Sequence, residues 1–449
     1  MHGPAKPEAE PEAAPAQDPW PSPRYAWGMV VALLVAYILS FADRQILSLL
    51  VGPVKADLNL SDTQFSLLAG LAFAFFFTFM GLPLGRLADR ATRKFLVAGG
   101  ALASATAGML ATMSGSFGQL FGARALAGTA DAALGPSAFS MLADLFPPEK
   151  RGKAFSVYSL GIYLGAGIAF GIGGLIVGAL SASPTVVVPV FGEIRSWQAV
   201  FLIIALPSLV ASPFFLLLPE PKRRGLAAPG ERLSVKATAS YVWQRRGLFL
   251  PYFVGFGIIV MANFATLAWT PEFFIRQFGT SPRDAGVMIG MMMAACGALG
   301  VLSGGWFTDW LQQKRGRRDA VLITGMVTCI GFMTFSVLFP LMPTEELARA
   351  ALAPVFFFGA FASGAAPSAI GAVTPNEMRG QVSALYLLSI NLLGIGLGPT
   401  VPALFTDFVF RDEALLGASL VTTAAITGIP AALLLNRARA RYVREATHR

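Results

Sequence analysis

Apolar residues fall along this chain in blocks of about 20, the length a helix needs to cross the hydrocarbon core of a bilayer. Six blocks lie near residues 26–50, 63–86, 95–114, 118–145, 153–180 and 198–218, and six more near 248–274, 284–311, 319–341, 350–374, 380–406 and 414–437. The pattern predicts an all-α integral membrane protein with twelve transmembrane helices. A polar, basic stretch, "PEPKRRGLAAPGERLSVKATASYVWQRR", separates the two sets. It predicts a cytoplasmic linker over 219–247, with a short amphipathic helix, between an N-terminal bundle over 25–218 and a C-terminal bundle over 248–437. Residues 1–24 are rich in Pro, Ala and Glu and lack the basic start and apolar core of a signal peptide. They are expected to form a disordered tail that is not cleaved. Residues 438–449 are expected to form a second, cytoplasmic tail.

The two sets repeat each other. "GRLADR" at Gly85–Arg90 ends the second block and "GWFTDW" at Gly305–Trp310 ends the eighth, an offset of 220. "PPEKRG" at Pro147–Gly152 follows the fourth and "PNEMRG" at Pro375–Gly380 follows the tenth, an offset of 228. Parallel halves of six spans are one architecture of secondary transporters.

Charge fixes the orientation. With the N-terminus placed in the cytoplasm, 26 of the 34 Lys and Arg fall in inner segments and 6 in outer loops, while Arg44 and Arg124 lie within spans. Both termini are therefore expected inside. The same rule accounts for the net charge of +9 without nucleic acid. Cys296 and Cys329 lie in apolar blocks, as small buried hydrophobes rather than a disulfide or metal ligands. The two histidines, His2 and His448, sit in the tails. No HExxH, GxSxG or Walker motif is present, so an enzyme and direct use of ATP are not expected, nor is any metal or cofactor.

Charges inside the spans carry the candidate chemistry, because an ionisable group in a membrane is costly and marks a function by default. Asp43 lies roughly 25 Å up the first span, while Arg124 and Asp131 lie roughly 8 and 18 Å below the outer surface on the fourth. All three occupy overlapping depths. Arg124 and Asp131 are two helical turns apart on one face, with Gly128 between them leaving room for a ligand or a neighbouring helix. An arginine offers a planar fork for a phosphate or carboxylate. A carboxylate in a partly dry cavity holds its proton at higher pH than in water and can exchange it near neutrality. Arg124 and Arg44 are therefore candidates for the substrate headgroup, and Asp43 and Asp131 for proton coupling. Arg44 points about 100° away from Asp43 and is expected to face another partner. The competing reading is that these charges only lock helices together. The second half has no such charge deep in a span. Glu272, Asn263 and Asn391 are its polar cavity candidates, and "MIGMMMAAC" and "VFFFGAFASG" form either an adaptable apolar wall or ordinary core.

Over nearly its whole length after the tail, the chain resembles the major facilitator superfamily. "GRLADRATRK" resembles that family's signature between its second and third helices, with Thr92 where glycine is usual, and "RALAGTADAA" resembles its fourth-helix motif. The fifth block lacks the Gly-Pro step of drug antiporters. Within the superfamily, "FADRQILSLLVGPVKADLNLSDTQFSLLAGLAFAFFFTFMGLPLGRLADR" resembles the spinster-like subfamily, with Asp131 where glutamate is frequent. The resemblance implies alternating access, first and fourth helices lining a central cavity, and an amphipathic anionic lipid as substrate, such as a lysophospholipid or sphingosine phosphate. A branch carrying organic anions shares the Asp-Arg step; that porter, a drug porter, and a channel or scramblase are the alternatives. The resemblance also implies a cytoplasmic gate of Gly85, Asp89, Arg90, Arg93 and Asp309, with Arg151 and Arg379 as partners. The expectation is a monomer in the inner membrane, if bacterial, working among membrane lipids on a small molecule, with the proton as candidate coupling ion.

Overall fold

The computed structural model describes residues 19–224, 235–363 and 366–447. Ten helices within these residues are long and apolar enough to span a bilayer, from Pro23–Leu49 to Glu413–Glu445. The other two spans, the fourth and the tenth, are each interrupted. Phe117–Asp131 gives way to Leu134–Leu145, and Glu345–Phe361 to Ala366–Val373. Interrupted helices complete the twelve in equivalent places of the two halves.

The edges differ from expectation at both ends. The first helix starts at Pro23, and the last continues as helix to Thr447, through most of the predicted tail. Residues 1–18, 225–234 and 448–449, parts of the predicted tails and linker, lie outside the described residues. The expected linker helix is Val235–Gln244. Between the fifth and sixth spans lies a feature the apolar pattern did not predict, an antiparallel hairpin of β1 (Thr185–Val188) and β2 (Gly192–Arg195). Its tight turn carries positive φ at Val190 and Gly192.

Contacts between the halves follow the repeat: the fifth helix packs on the eighth and the second on the eleventh. Glycine permits the closeness. A Cβ on Gly290 would lie 2.6 Å from the Gly167 carbonyl, and one on Gly70 2.6 Å from the Gly396 carbonyl. These backbones touch where any side chain would separate them.

Buried apolar residues show where the halves join. One core runs through both, from Phe41, Ile46 and Phe201 to Trp269, Phe339 and Leu352. Towards the cytoplasm it divides. Val30, Leu142 and Phe215 belong to a core of the N-half alone, and Phe249, Tyr386 and Leu435 to a core of the C-half alone. Fusion on the outer side and separation on the inner side define an inward-facing state.

Candidate substrate and coupling site

Four of the buried charges of the N-half, Asp43, Arg44, Arg124 and Asp131, form one cluster of two arginines and two aspartates. The first helix passes at Ile46 into a 3-10 turn over Leu47–Leu49. Arg124 meets the end of the α-helix: its Nη1 donates to the Asp43 carbonyl at 3.4 Å and its Nη2 to the Arg44 carbonyl at 3.5 Å. The same Nη1 pairs with the Asp43 carboxylate at 3.4 Å. Arg44 Nη2 turns instead to Asp131 at 3.3 Å. The pairs cross because neighbouring residues on a helix point about 100° apart.

Both pairs are long and incomplete. Close charge-assisted bonds run about 2.7–2.9 Å. Each arginine also keeps a buried Nε without a partner. Aromatic faces occupy the remaining sides: Phe73 lies 4.3 Å from the Arg44 guanidinium and 5.5 Å from that of Arg124, with Phe41 and Phe77 flanking Arg44. Cation–π contact partly replaces lost hydration. With Arg124 only 2% exposed and Arg44 9%, the cluster is closed on itself in this state.

Gly128 serves the neighbouring helix, not a ligand. Its missing Cβ would stand 2.3 Å from the Phe73 carbonyl, so glycine brings the second helix, and Phe73 with it, against the arginines.

The C-half carries a neutral copy of this cluster. Shifted by 220, Asp43 falls on Asn263 and Arg44 on Phe264; shifted by 228, Arg124 falls on Leu352 and Asp131 on Gly359. The copy is also spatial: Asn263 Nδ2 lies 2.2 Å from where a Cβ on Gly359 would be. Asn391 opens a π-helical turn of the eleventh helix, which packs on the seventh.

Other candidates fall elsewhere. Glu272 does not line a central cavity; it is buried in an outer seal, where it accepts from Arg276 at 2.7 Å. Arg276 also makes two bonds of 2.9 Å to Asp62, which is wholly buried and pairs with Lys55. Lys55 in turn reaches Glu413 at 2.7 Å, and the Thr63 amide donates to Asp407 at 2.7 Å. This seal, which the sequence reading missed, ties the halves together outside. Its sequence signal was the acidic and basic residues crowding the predicted outer ends of the first, seventh and twelfth spans. The methionine run is packing: Met288 and Met293 are buried in the shared core and Met291 is exposed. So is the phenylalanine run, where Phe358 stacks on Phe335 and Phe361 meets Phe307.

At the cytoplasmic end, Asp89, Arg90 and Asp309 are exposed and form no ion pair among the described residues. Gly85 lies against Pro136 of the fourth helix, and Arg379 is exposed at the start of the eleventh. Arg93 departs from the gate expectation. It is fully buried within the N-half, bonded to Asp144, Ser140, Glu220 and the Pro221 carbonyl. Arg151 donates to the nearby Phe146 carbonyl at 2.9 Å rather than to Asp89. An unforeseen residue, Arg223, receives the end of the second helix by donating to the carbonyls of Ala88, Asp89 and Ala91, as a cation at a helix C-terminus should.

Comparison with known proteins agrees with this architecture. The family model described as Major Facilitator Superfamily matches residues 33–399. An "MFS-type efflux pump" of Mycolicibacterium smegmatis is 29% identical over 427 residues, 94% of this chain and 95% of that protein. A "Hexuronate transporter" of Bacillus subtilis is 25% identical over 424 residues, 89% of this chain and 93% of that protein. Among solved structures, a bacterial homologue of the human lysosomal transporter spinster, in an inward-facing and unoccupied conformation, superimposes with a TM-score of 0.77 at 22% identity, covering 95% of this chain and 98% of that one.

Proposed function

The chain belongs to the Major Facilitator Superfamily, a multi-pass transporter of the inner membrane in a bacterium rather than an enzyme, and from there we propose that it moves an amphipathic anion in exchange with, or together with, protons. The crossed pairs Arg44–Asp131 and Arg124–Asp43 carry this reading. Each arginine is held by a single carboxylate at 3.3 or 3.4 Å and keeps an unpartnered Nε. Protonation of either aspartate removes its charge and frees its arginine. A phosphate or carboxylate headgroup then takes the planar fork. Deprotonation restores the internal pair and expels the anion. Substrate and proton occupancy are thereby linked, each changing the other's affinity by the same factor.

The neutral copy in the C-half supports an amphiphile. With Asn263, Phe264, Leu352 and Gly359 in place of the four charges, the site has one polar wall and one apolar wall. A lysophospholipid or sphingosine-phosphate-like molecule matches that asymmetry, as does the spinster-like resemblance. A second reading, a small organic anion, is favoured by the full-length likeness to the hexuronate transporter and by the methionine and phenylalanine runs being packing. Direct binding to the purified protein separates the two. Lysophosphatidate should bind at least about tenfold tighter than glucuronate, and more tightly at lower pH. Preference for glucuronate establishes the second reading.

A further inference from the structure

Each half has a crevice between the first, third and sixth helices of its bundle; that of the N-half also reaches Asp131 on the fourth helix and is the more polar of the two. In the C-half the crevice is lined by side chains such as Ile259, Phe332 and Ala431. In the N-half it is lined by Ser40, Ser104, Asp131 and Ser208, with room for about one water. Ser104 is 4% exposed, and its buried hydroxyl has no protein partner. A donor in that position calls for water, since an unpaired buried hydroxyl costs about 1–3 kcal/mol.

The crevice runs downwards. Val97 and Phe215 line its lower part. Val97 lies two turns, about 10 Å, below Ser104 on the third helix. One turn further down is Arg93, bonded to Asp144 and Glu220 beside the cytoplasmic surface. On its other side Asp131 meets Arg44, which is enclosed by Phe41, Phe73 and Phe77.

We infer that this crevice is the route through the N-half, opened to water as the N-half breathes, by which Asp131 exchanges its proton with the cytoplasm, separate from the route taken by the substrate. The inference rests on Asp131 being a proton-coupling group. The carboxylic acid of Asp131 gives its proton to a crevice water; the water passes it down to bulk water near Asp144 and Glu220, and the carboxylate left behind is balanced by Arg44. No other reactant is needed. The groups facing Asp131 are Tyr37, Ser40, Asp43 and Arg44 from the first helix, Arg124 from its own and Tyr158 from the fifth. Ser104 and Ser208 face it from the third and sixth.

The test follows the carbonyl stretch of protonated Asp131 by infrared spectroscopy after a pH jump, on the purified full chain in lipid, without substrate. Asp131→Asn assigns the band. The double variant Ser104→Val, Ser208→Val fills the crevice and should slow proton exchange at least about tenfold. Thr427→Val, in the C-half crevice, should leave the rate unchanged. Equal rates in the filled variant and wild type overturn the passage, as does equal slowing by Thr427→Val or a band that never appears. As a readout independent of the filled variant's folding, Ser104→Cys, with Cys296 and Cys329 replaced by alanine, should react with a small cationic thiosulfonate from the cytoplasmic side; a thiol that stays unreactive also overturns the passage. If the band titrates at the expected rates while substrate binding shows no dependence on pH, the transport reading fails and the passage stands.

Discussion

Arg124 holds two backbone carbonyls and one carboxylate with a single guanidinium, a task that depends on shape as much as on charge. Arg124→Lys keeps the charge and loses the fork. Binding of lysophosphatidate should weaken at least about tenfold, as read by equilibrium binding; unchanged affinity would show that a point charge suffices. Gly128→Ala meets a backbone oxygen that has nowhere to go. It should destabilise the protein by about 1–3 kcal/mol through overpacking, measured as a lower thermal midpoint, and an unchanged midpoint would remove the close-packing role. The four charges were legible in the sequence because apolar runs make any ionisable residue conspicuous. Which aspartate pairs with which arginine was less so, since that depends on how two helices face each other. Glu272 was misplaced for a related reason: depth along a span says nothing about whether a side chain turns into a cavity or, as here, towards Arg276.

At the scale of helices, length and apolarity located the spans and the repeat located the halves. The breaks after Asp131 and Phe361, the π-helical turns at Met293–Gly297 and Asn391–Gly396, and the β1–β2 hairpin were not legible. Tertiary packing decides them, as where the eighth helix meets the fifth through glycine. The outer seal is the element most open to trial. Arg276→Ala removes one of the two cations that pair with wholly buried Asp62, leaving Lys55 alone against it, and stripping partners from a buried charge is unfavourable. Spin labels on the outer ends of the first and seventh helices should report a larger share of long distances in this variant; an unchanged distribution would mean that the glycine contacts alone close the outside. On the inner side Asp319 fastens the loop before the ninth helix to the last helix, through Arg317 and Arg439. Chiefly through its hydrogen bonds to Arg317, its carboxyl is held down at about 2. The folded value lies below the unfolded one, so the contribution is present above the ordinary carboxylate value of 3.8 and is lost as pH falls through about 2. Asp319→Asn should cost about 1 kcal/mol at neutral pH, allowing for solvent around the exposed arginines, and little at the acid end. A cost independent of pH would assign the effect to packing.

For the whole molecule, one outer core joining both halves and two inner cores keeping them apart describe a transporter caught open to the cytoplasm. Asp89, Arg90 and Asp309 are exposed in that state. The asymmetry between halves is the larger point. The repeat gives both halves the same helices, crevices and glycine contacts, and then places every deep charge in one of them. A charged half facing a neutral half allows protonation to be felt on one wall while the other accommodates the rest of the substrate. The central claim is that the Asp43 and Asp131 carboxylates compete with an anion for Arg44 and Arg124, so that proton binding favours anion binding. Its most direct test is proton flux into proteoliposomes holding the purified protein, challenged with lysophosphatidate, in wild type, Asp131→Asn and Arg124→Ala. The account predicts flux driven by lysophosphatidate in wild type and its loss in both variants. Variants that move substrate with wild-type proton flux would contradict it and reduce the four charges to a fastening between helices.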